Sequence, residues 1–148
     1  MKIRIVTDSG SDLSDEEASE LGISIVPLSI RFGEEELIDR VELGADEFYE
    51  RMNNSEDVPQ TAAPSPGAFK TAFEECFKQG AETVICINMS SELSATIQAA
   101  EAGARELGEK DIRIFDSKSV TGGLGTMVLN AAKASQDNHS ADEILTLL

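Results

Sequence analysis

One almost wholly apolar run, TVICI at residues 83–87, constrains the fold of this chain most. A strand without a polar face must be covered on both sides, which is typical of the inner strands of a parallel sheet. Residues 3–6 and 112–115 form two further short strand patterns, and segments with helical periodicity separate the three. This alternation predicts an α/β domain, with a mostly parallel sheet in Rossmann-like order and helices on both of its faces.

Start and stop signals place the other elements. Ser14 with Glu17, and Ser140 with Glu143, have the spacing of a capping box, so a helix is expected to begin after each serine. The patterns further predict a second strand over residues 23–32, an edge hairpin through Leu37 and Ile38, a loop over 53–65, and helices from residue 66, over 95–107 and over 126–134.

Phe69, Phe73 and Phe77 recur at helical spacing in the helix expected from residue 66. An aromatic stripe of this kind packs in a protein core or lines an apolar ligand cavity. The spacing fits both interpretations, so the sequence alone leaves them open.

Composition excludes several classes of function. The chain of 148 residues has the size of one domain, and its 28 Asp and Glu against 12 Lys and Arg give a net charge of −16. This charge repels nucleic-acid phosphates and anionic lipid surfaces, so no nucleic-acid partner is expected. No apolar run approaches the ~20 residues of a membrane span, and no membrane insertion is expected. Cys76 and Cys86 lie outside any Cys-x-x-Cys pattern, which indicates two buried thiols in a reducing cytoplasm.

The last helix pattern bears on domain organisation. Residues 1–136 are expected to form the α/β domain, and residues 137–148 the start of a helix that leads to a second domain. The reason is that Ile144, Leu145 and Leu148 lie in a helix without a stop signal and need an apolar surface to cover them.

Three polar turns, Asp8-Ser9, Ser90–Ser94 and Asp116-Ser117, directly follow the three strand patterns. Parallel strands place their carboxyl ends at one edge of the sheet, where ligands usually bind. Helix N-termini at this edge offer free N–H groups, which together with hydroxyl groups suit a carboxylate or a phosphate. Ordinary helix capping explains the same residues equally well.

Two other functions stay open from the residues alone. The carboxylates of Asp8 and Asp116 fit a phosphotransferase or a hydrolase, but the sequence has no phosphate-binding Gly-x-x-x-x-Gly-Lys loop. Its only histidine, His139, lies far along the chain from all three turns, so a catalytic triad lacks a base. The second alternative is a non-catalytic module that binds another protein through its acidic surface. No complete cofactor motif is present, and no cofactor is expected.

Five motifs resemble the DegV family in their order and approximate spacing. They are VTDSGSDL at residues 6–13, IVPL at 25–28, TAAPSP at 61–66, SSELSAT at 90–96 and Asp116-Ser117. The resemblance covers nearly the whole chain, but only the first of the two domains that members of the family usually have.

The resemblance implies a fatty-acid-binding protein without enzymatic activity of its own. Family members hold a long acyl chain in an apolar tunnel and present its carboxylate to a separate fatty acid kinase. By position, the residues implied to hold the carboxylate are Thr61 and Ser94, with Ser91 as the second choice for the serine. Ala95 stands where the family usually has glycine. The additional methyl group is expected to narrow the approach of the head group to the helix N-terminus.

Overall fold

The computed structural model describes residues 2–148 and has an α/β architecture. A short 3-10 turn, Ser9–Ser11, follows the first strand. In chain order the elements are β1 (Ile3–Asp8), α1 (Asp15–Leu21), β2 (Ser24–Val26), β3 (Ser29–Phe32), β4 (Glu35–Ile38), α2 (Ala45–Asn54), β5 (Gln60–Ala62), α3 (Pro66–Lys78), β6 (Thr83–Asn88), α4 (Thr96–Arg105), β7 (Asp111–Asp116), α5 (Thr121–Gln136) and α6 (Ala141–Leu147).

The main sheet has four parallel strands in the order β2-β1-β6-β7, which confirms the expected Rossmann-like arrangement. From β1 the chain adds β2 on one side, and it later adds β6 and β7 on the other side. Strand order therefore reverses between β1 and β6. In open α/β sheets a crevice forms outside the carboxyl ends of the strands at such a switch point.

Helices cover both faces of this sheet, as expected. On one face α1, α5 and α6 contribute to a core with β1 and β6, and on the other α3 and α4 form a second core with the same strands. Phe69 and Phe73 are completely buried in the second core and Phe77 packs against it partly buried, so the aromatic stripe belongs to this core. The helices α3 and α4 approach closely at Gly103, where a Cβ atom would lie 2.6 Å from the carbonyl oxygen of Pro66.

A smaller antiparallel sheet, β4-β3-β5, corrects two predictions. The single strand expected over residues 23–32 is wrong, because the chain leaves the main sheet at Pro27, which has no N–H to donate to a ladder. The N–H of Leu28 donates instead to Ser9 Oγ, at 3.0 Å. The loop expected over residues 53–65 contains β5, whose three residues are all exposed. It pairs with β3 through backbone groups, which leave no apolar pattern in the sequence.

The C-terminal helices differ from the expectation in two ways. The helix expected from residue 126 begins at Thr121, because glycines in its first turns hide the apolar periodicity. The apolar surface that Ile144, Leu145 and Leu148 were expected to need lies within the domain itself, because α6 packs on the α/β core, with Ile144 completely buried and Leu145 and Leu148 packed against the same core. Both expected capping boxes, at Ser14 and Ser140, are confirmed. The domain boundary at residue 136 stays a prediction.

Candidate functional site

Asp8 ties β1 to β6 at the switch point. Its carboxylate is completely buried and accepts hydrogen bonds from the N–H of Gly10 (3.0 Å), the side-chain amide of Asn88 (3.0 Å) and the N–H of Met89 (2.9 Å). Burial raises the pKa of Asp8, and the three hydrogen bonds oppose this rise. The carboxyl ends of the two strands are therefore held together by the side chain of one residue.

Asp116 forms a second tie, between the end of β7 and the loop after β6. It accepts hydrogen bonds from the N–H of Ser91 (3.2 Å), the hydroxyl of Ser91 (2.5 Å) and the N–H of Lys118 (3.1 Å), and it pairs with Lys118 Nζ at 2.8 Å. Desolvation raises the pKa of Asp116, but the hydrogen bonds from Lys118 and Ser91 outweigh it and hold this pKa well below its usual range. The three predicted polar turns thus meet at one edge of the sheet.

The hydroxyl group of Ser94 contacts both the hydroxyl and the N–H of Thr96. Its Oγ lies 2.8 Å from Thr96 Oγ1 and accepts the N–H of Thr96 at 3.2 Å. Thr96 is completely buried, whereas Ser94 is half-buried. When the Thr96 hydroxyl donates to Ser94, both lone pairs of Ser94 are used and its own proton is free for an acceptor outside the loop.

The start of α4 lies directly after Ser94. Its N-cap residue is Ala95, which makes no side-chain hydrogen bond to the first turn of this helix of 10 residues. The partial positive charge of the helix N-terminus therefore lies next to the Ser94 hydroxyl, a combination that favours an anion. Ala95 is exposed and has a φ of −78°, so alanine in place of glycine causes no backbone strain here.

Ser91 is less suited to a ligand than Ser94. Its hydroxyl donates to Asp116 and accepts a hydrogen bond from Lys118 Nζ at 3.2 Å. The Ser91 proton is therefore used inside the protein, in the tie between two loops.

Thr61 lies apart from the two serines, on the exposed strand β5 opposite Ile30. Among the residues that the structure describes, no hydrogen bond joins Thr61 to Ser91 or Ser94. The small sheet is nevertheless attached to the carboxyl edge of the main sheet, because Ser9 holds Leu28 directly before β3. Both Thr61 and Ser94 thus belong to segments anchored near the end of β1.

Sequence reasoning missed three partners of these groups. Thr96 supports Ser94, and the Ser-x-Thr spacing at the start of a helix is a local signal for this contact. Asn88 and Lys118 have no such signal, because they reach Asp8 and Ser91 from 80 and 27 residues away in the chain.

Two further properties concern metals and membranes. Within residues 2–148, no group of three or more His, Cys, Asp or Glu is placed to hold a metal ion. Over the same residues, every helix is too short or too polar to cross a bilayer.

The sequence matches a known family along almost its full length. The family model described as "Uncharacterised protein, DegV family" matches residues 2–148. A DegV domain-containing protein from Clostridium perfringens is 36% identical over 143 residues, which are 97% of this chain and 51% of that protein. The chain therefore spans about half the length of this relative.

Solved structures show the same fold. A fatty-acid-binding DegV family protein from Thermus thermophilus is 30% identical with a TM-score of 0.90, covering 99% of this chain and 51% of the other. DegV from Bacillus subtilis, a fatty acid binding protein, is 29% identical with a TM-score of 0.91, covering 99% of this chain and 52% of the other.

Proposed function

Because the chain belongs to the DegV family, we propose that it binds a long-chain fatty acid in an apolar tunnel and presents the carboxylate to a separate fatty acid kinase. Two relatives of the same fold are described as fatty-acid-binding proteins, which supports the choice of ligand. The kinase supplies the chemistry of phosphoryl transfer, and this chain supplies the bound substrate.

The observation that carries the proposal is the Ser94 hydroxyl at the N-terminus of α4. This hydroxyl lies 2.8 Å from that of buried Thr96, and when Thr96 donates to it the Ser94 proton is available to a carboxylate oxygen. In this proposal Thr61, on the exposed strand β5, supplies the second hydrogen bond to the carboxylate. Ser91 stays with Asp116 and does not contact the ligand.

The tail and the head group of the fatty acid contribute differently to binding. A 16-carbon acid buries about 14 methylene groups at ~0.8 kcal/mol each, roughly 11 kcal/mol before the costs of association are subtracted. A hydrogen bond to a charged carboxylate contributes only about 1.5–3 kcal/mol. The tail therefore provides the affinity, and Thr61 and Ser94 determine which end of the acid faces the kinase.

In this proposal the acidic residues at the sheet edge have a structural role. The carboxylate oxygens of Asp8 and Asp116 accept hydrogen bonds that hold loops together. Because these oxygens already have partners within the protein, the arrangement favours a carrier over a hydrolase. Cys76 and Cys86 are both buried and free, which suits a protein of the reducing cytoplasm, where we place it.

Native mass spectrometry of the purified chain tests the ligand. We expect either a copurified fatty acid of 16 to 18 carbons or, after removal of lipid, uptake of one added oleate per chain. Ser19→Ala and Thr71→Ala, at exposed positions on α1 and α3, serve as matched controls for later Ser94→Ala and Thr61→Ala variants. A chain that stays empty with excess oleate would contradict the proposal.

A further inference from the structure

Half of the net charge of the protein lies in a segment of 24 residues. Residues 34–57, which we call the acidic segment, contain ten Asp and Glu against two Arg, a net charge of −8 out of −16. Both arginines are already used within the protein. Arg40 bonds to Asp15 and to a backbone carbonyl, and Arg51 pairs with Glu35 and Glu47. The segment therefore presents a surplus of negative charge to its surroundings.

The acidic segment also exposes apolar side chains. Of the seven large apolar side chains exposed in residues 2–148, four belong to this segment: Ile38, Val41, Tyr49 and Met52. Tyr49 is 59% exposed and Met52 39%, and their spacing of three places them on one side of α2. No residue of α2 is fully buried, and Phe48 contacts Phe32 at a ring distance of 5.9 Å. One side of this helix is thus not covered by any part of residues 2–148.

A groove extends from α2 to the segment that directly follows β1. Its volume is about 450 Å³, and its walls include Ser9 and Leu13 from the segment after β1, Arg40, and Phe48 and Tyr49 from α2. Ser9 directly follows Asp8, the residue that ties the ends of β1 and β6. A partner seated on α2 would therefore lie next to the end of β1, at the carboxyl edge of the main sheet.

From these observations we infer that α2 and the neighbouring turn at residues 38–42 form a docking face for a protein with a basic surface and an apolar pocket. Tyr49 and Met52 are the apolar anchors, since exposed aromatic residues are frequent hot spots of interfaces. The surrounding carboxylates attract the partner and mainly raise the association rate. A second copy of this chain does not fit, because two segments of charge −8 would repel each other.

The identity of the partner rests on the proposed function, in which the occupant is the fatty acid kinase. Binding of a purified fatty acid kinase to the oleate-loaded chain is to be measured by biolayer interferometry at 50 and 300 mM NaCl. We expect the double variant Tyr49→Ala with Met52→Ala to raise the Kd for the kinase at least tenfold. Glu50→Lys should slow association and reduce its salt dependence. Leu147→Ala on α6 and Glu101→Lys on α4, both at exposed positions, should leave binding unchanged.

Retention of oleate, measured on the same samples, separates the two proposals. A chain without bound oleate contradicts the proposed function. Variants that retain oleate but bind the kinase like the wild type overturn the docking face. Light scattering gives a third outcome, since a dimer that Tyr49→Ala dissociates would assign this face to a second copy and also overturn the inference.

Discussion

At the scale of single residues, the hydroxyl groups of Ser94 and Thr61 are expected to control orientation more than affinity. We expect Ser94→Ala and Thr61→Ala to reduce kinase-dependent phosphorylation of bound oleate at least tenfold, while oleate affinity changes less than threefold. The reason is that burial of the tail contributes several times the free energy of one hydrogen bond. Paired measurements of oleate binding and of acyl phosphate formation check this; equal losses in both would contradict it.

Thr96 permits a sharper version of this test. Thr96→Val keeps the shape of the side chain but removes the hydroxyl that lies 2.8 Å from Ser94 Oγ. The Ser94 hydroxyl then loses its hydrogen-bond partner. The logarithm of the rate of oleate phosphorylation should therefore fall by about half the amount by which it falls in Ser94→Ala. A double variant that falls no further than Ser94→Ala alone would show that Thr96 acts through Ser94.

The carboxylate of Asp116 is expected to make a pH-dependent contribution to the free energy of unfolding. Its pKa is lower in the folded protein than in the unfolded chain, so its stabilisation is complete above the unfolded value near 3.9 and is lost as the pH falls below it. We expect Asp116→Asn to lower the free energy of unfolding by about 1–3 kcal/mol at pH 7 and by about 1 kcal/mol less at pH 3. Urea unfolding at both pH values measures this difference. Glu101→Gln controls for the loss of one charge, and a difference independent of pH would contradict the role of the ionised carboxylate.

The sequence indicates which residues gather at the sheet edge but not which of them bind each other. Asp8, Ser91 and Asp116 could be placed there because each follows a strand pattern. Their partners come from hydrogen bonds between distant segments, such as Asn88 to Asp8, and these depend on strand order. The separate roles of Ser91 and Ser94 depend on the contacts of Ser91 with Asp116 and Lys118, two residues that lie more than 20 positions away in the chain.

At the scale of elements, the close packing of α3 and α4 depends on Gly103. A Cβ atom at this position would lie 2.6 Å from the Pro66 carbonyl oxygen and 3.0 Å from the Lys70 nitrogen, both in the backbone. We expect Gly103→Ala to lower the free energy of unfolding by about 1–3 kcal/mol, because backbone atoms of α3 must move. Gly122→Ala on α5 is the control, since no atom lies within 4 Å of its Cβ position, and alanine should stabilise the helix by up to ~1 kcal/mol. Urea unfolding followed by circular dichroism distinguishes the two; equal effects would contradict the packing argument.

Elements with a buried face could be predicted, and elements held by backbone pairing could not. The strand β6 is buried at every position and is evident in the sequence. The strand β5 is exposed at every position and exists through its pairing with β3, so no apolar pattern marks it. The early start of α5 could not be predicted for a related reason, because glycines at three of its first five positions leave no apolar pattern. One of them, Gly125, serves close contact with the Ser9–Ser11 turn: a Cβ atom there would lie 2.6 Å from the Ser11 carbonyl oxygen.

At the scale of the whole molecule, a net charge of −16 acts against the folded state. Like charges are closer together in the compact protein than in the unfolded chain, and salt screens this repulsion over about 10 Å at 0.1 M. We therefore expect the Tm to rise by several degrees between 20 and 500 mM NaCl. Chloride is preferred to sulfate here, because sulfate also strengthens apolar burial. Differential scanning fluorimetry gives the measurement.

The acidic segment allows this repulsion to be located. Glu34 and Glu56 are exposed residues at or near the two ends of the segment, and Glu34→Gln with Glu56→Gln reduces its charge from −8 to −6. The double variant should have a higher Tm than the wild type at 20 mM NaCl and a smaller rise with salt. Removal of two exposed acids outside the segment, Glu101→Gln with Glu109→Gln, should have a weaker effect because fewer like charges surround them in the sequence. If both double variants shift the Tm equally, the repulsion is spread over the whole surface, and the acidic segment has no special share in the stability of the fold.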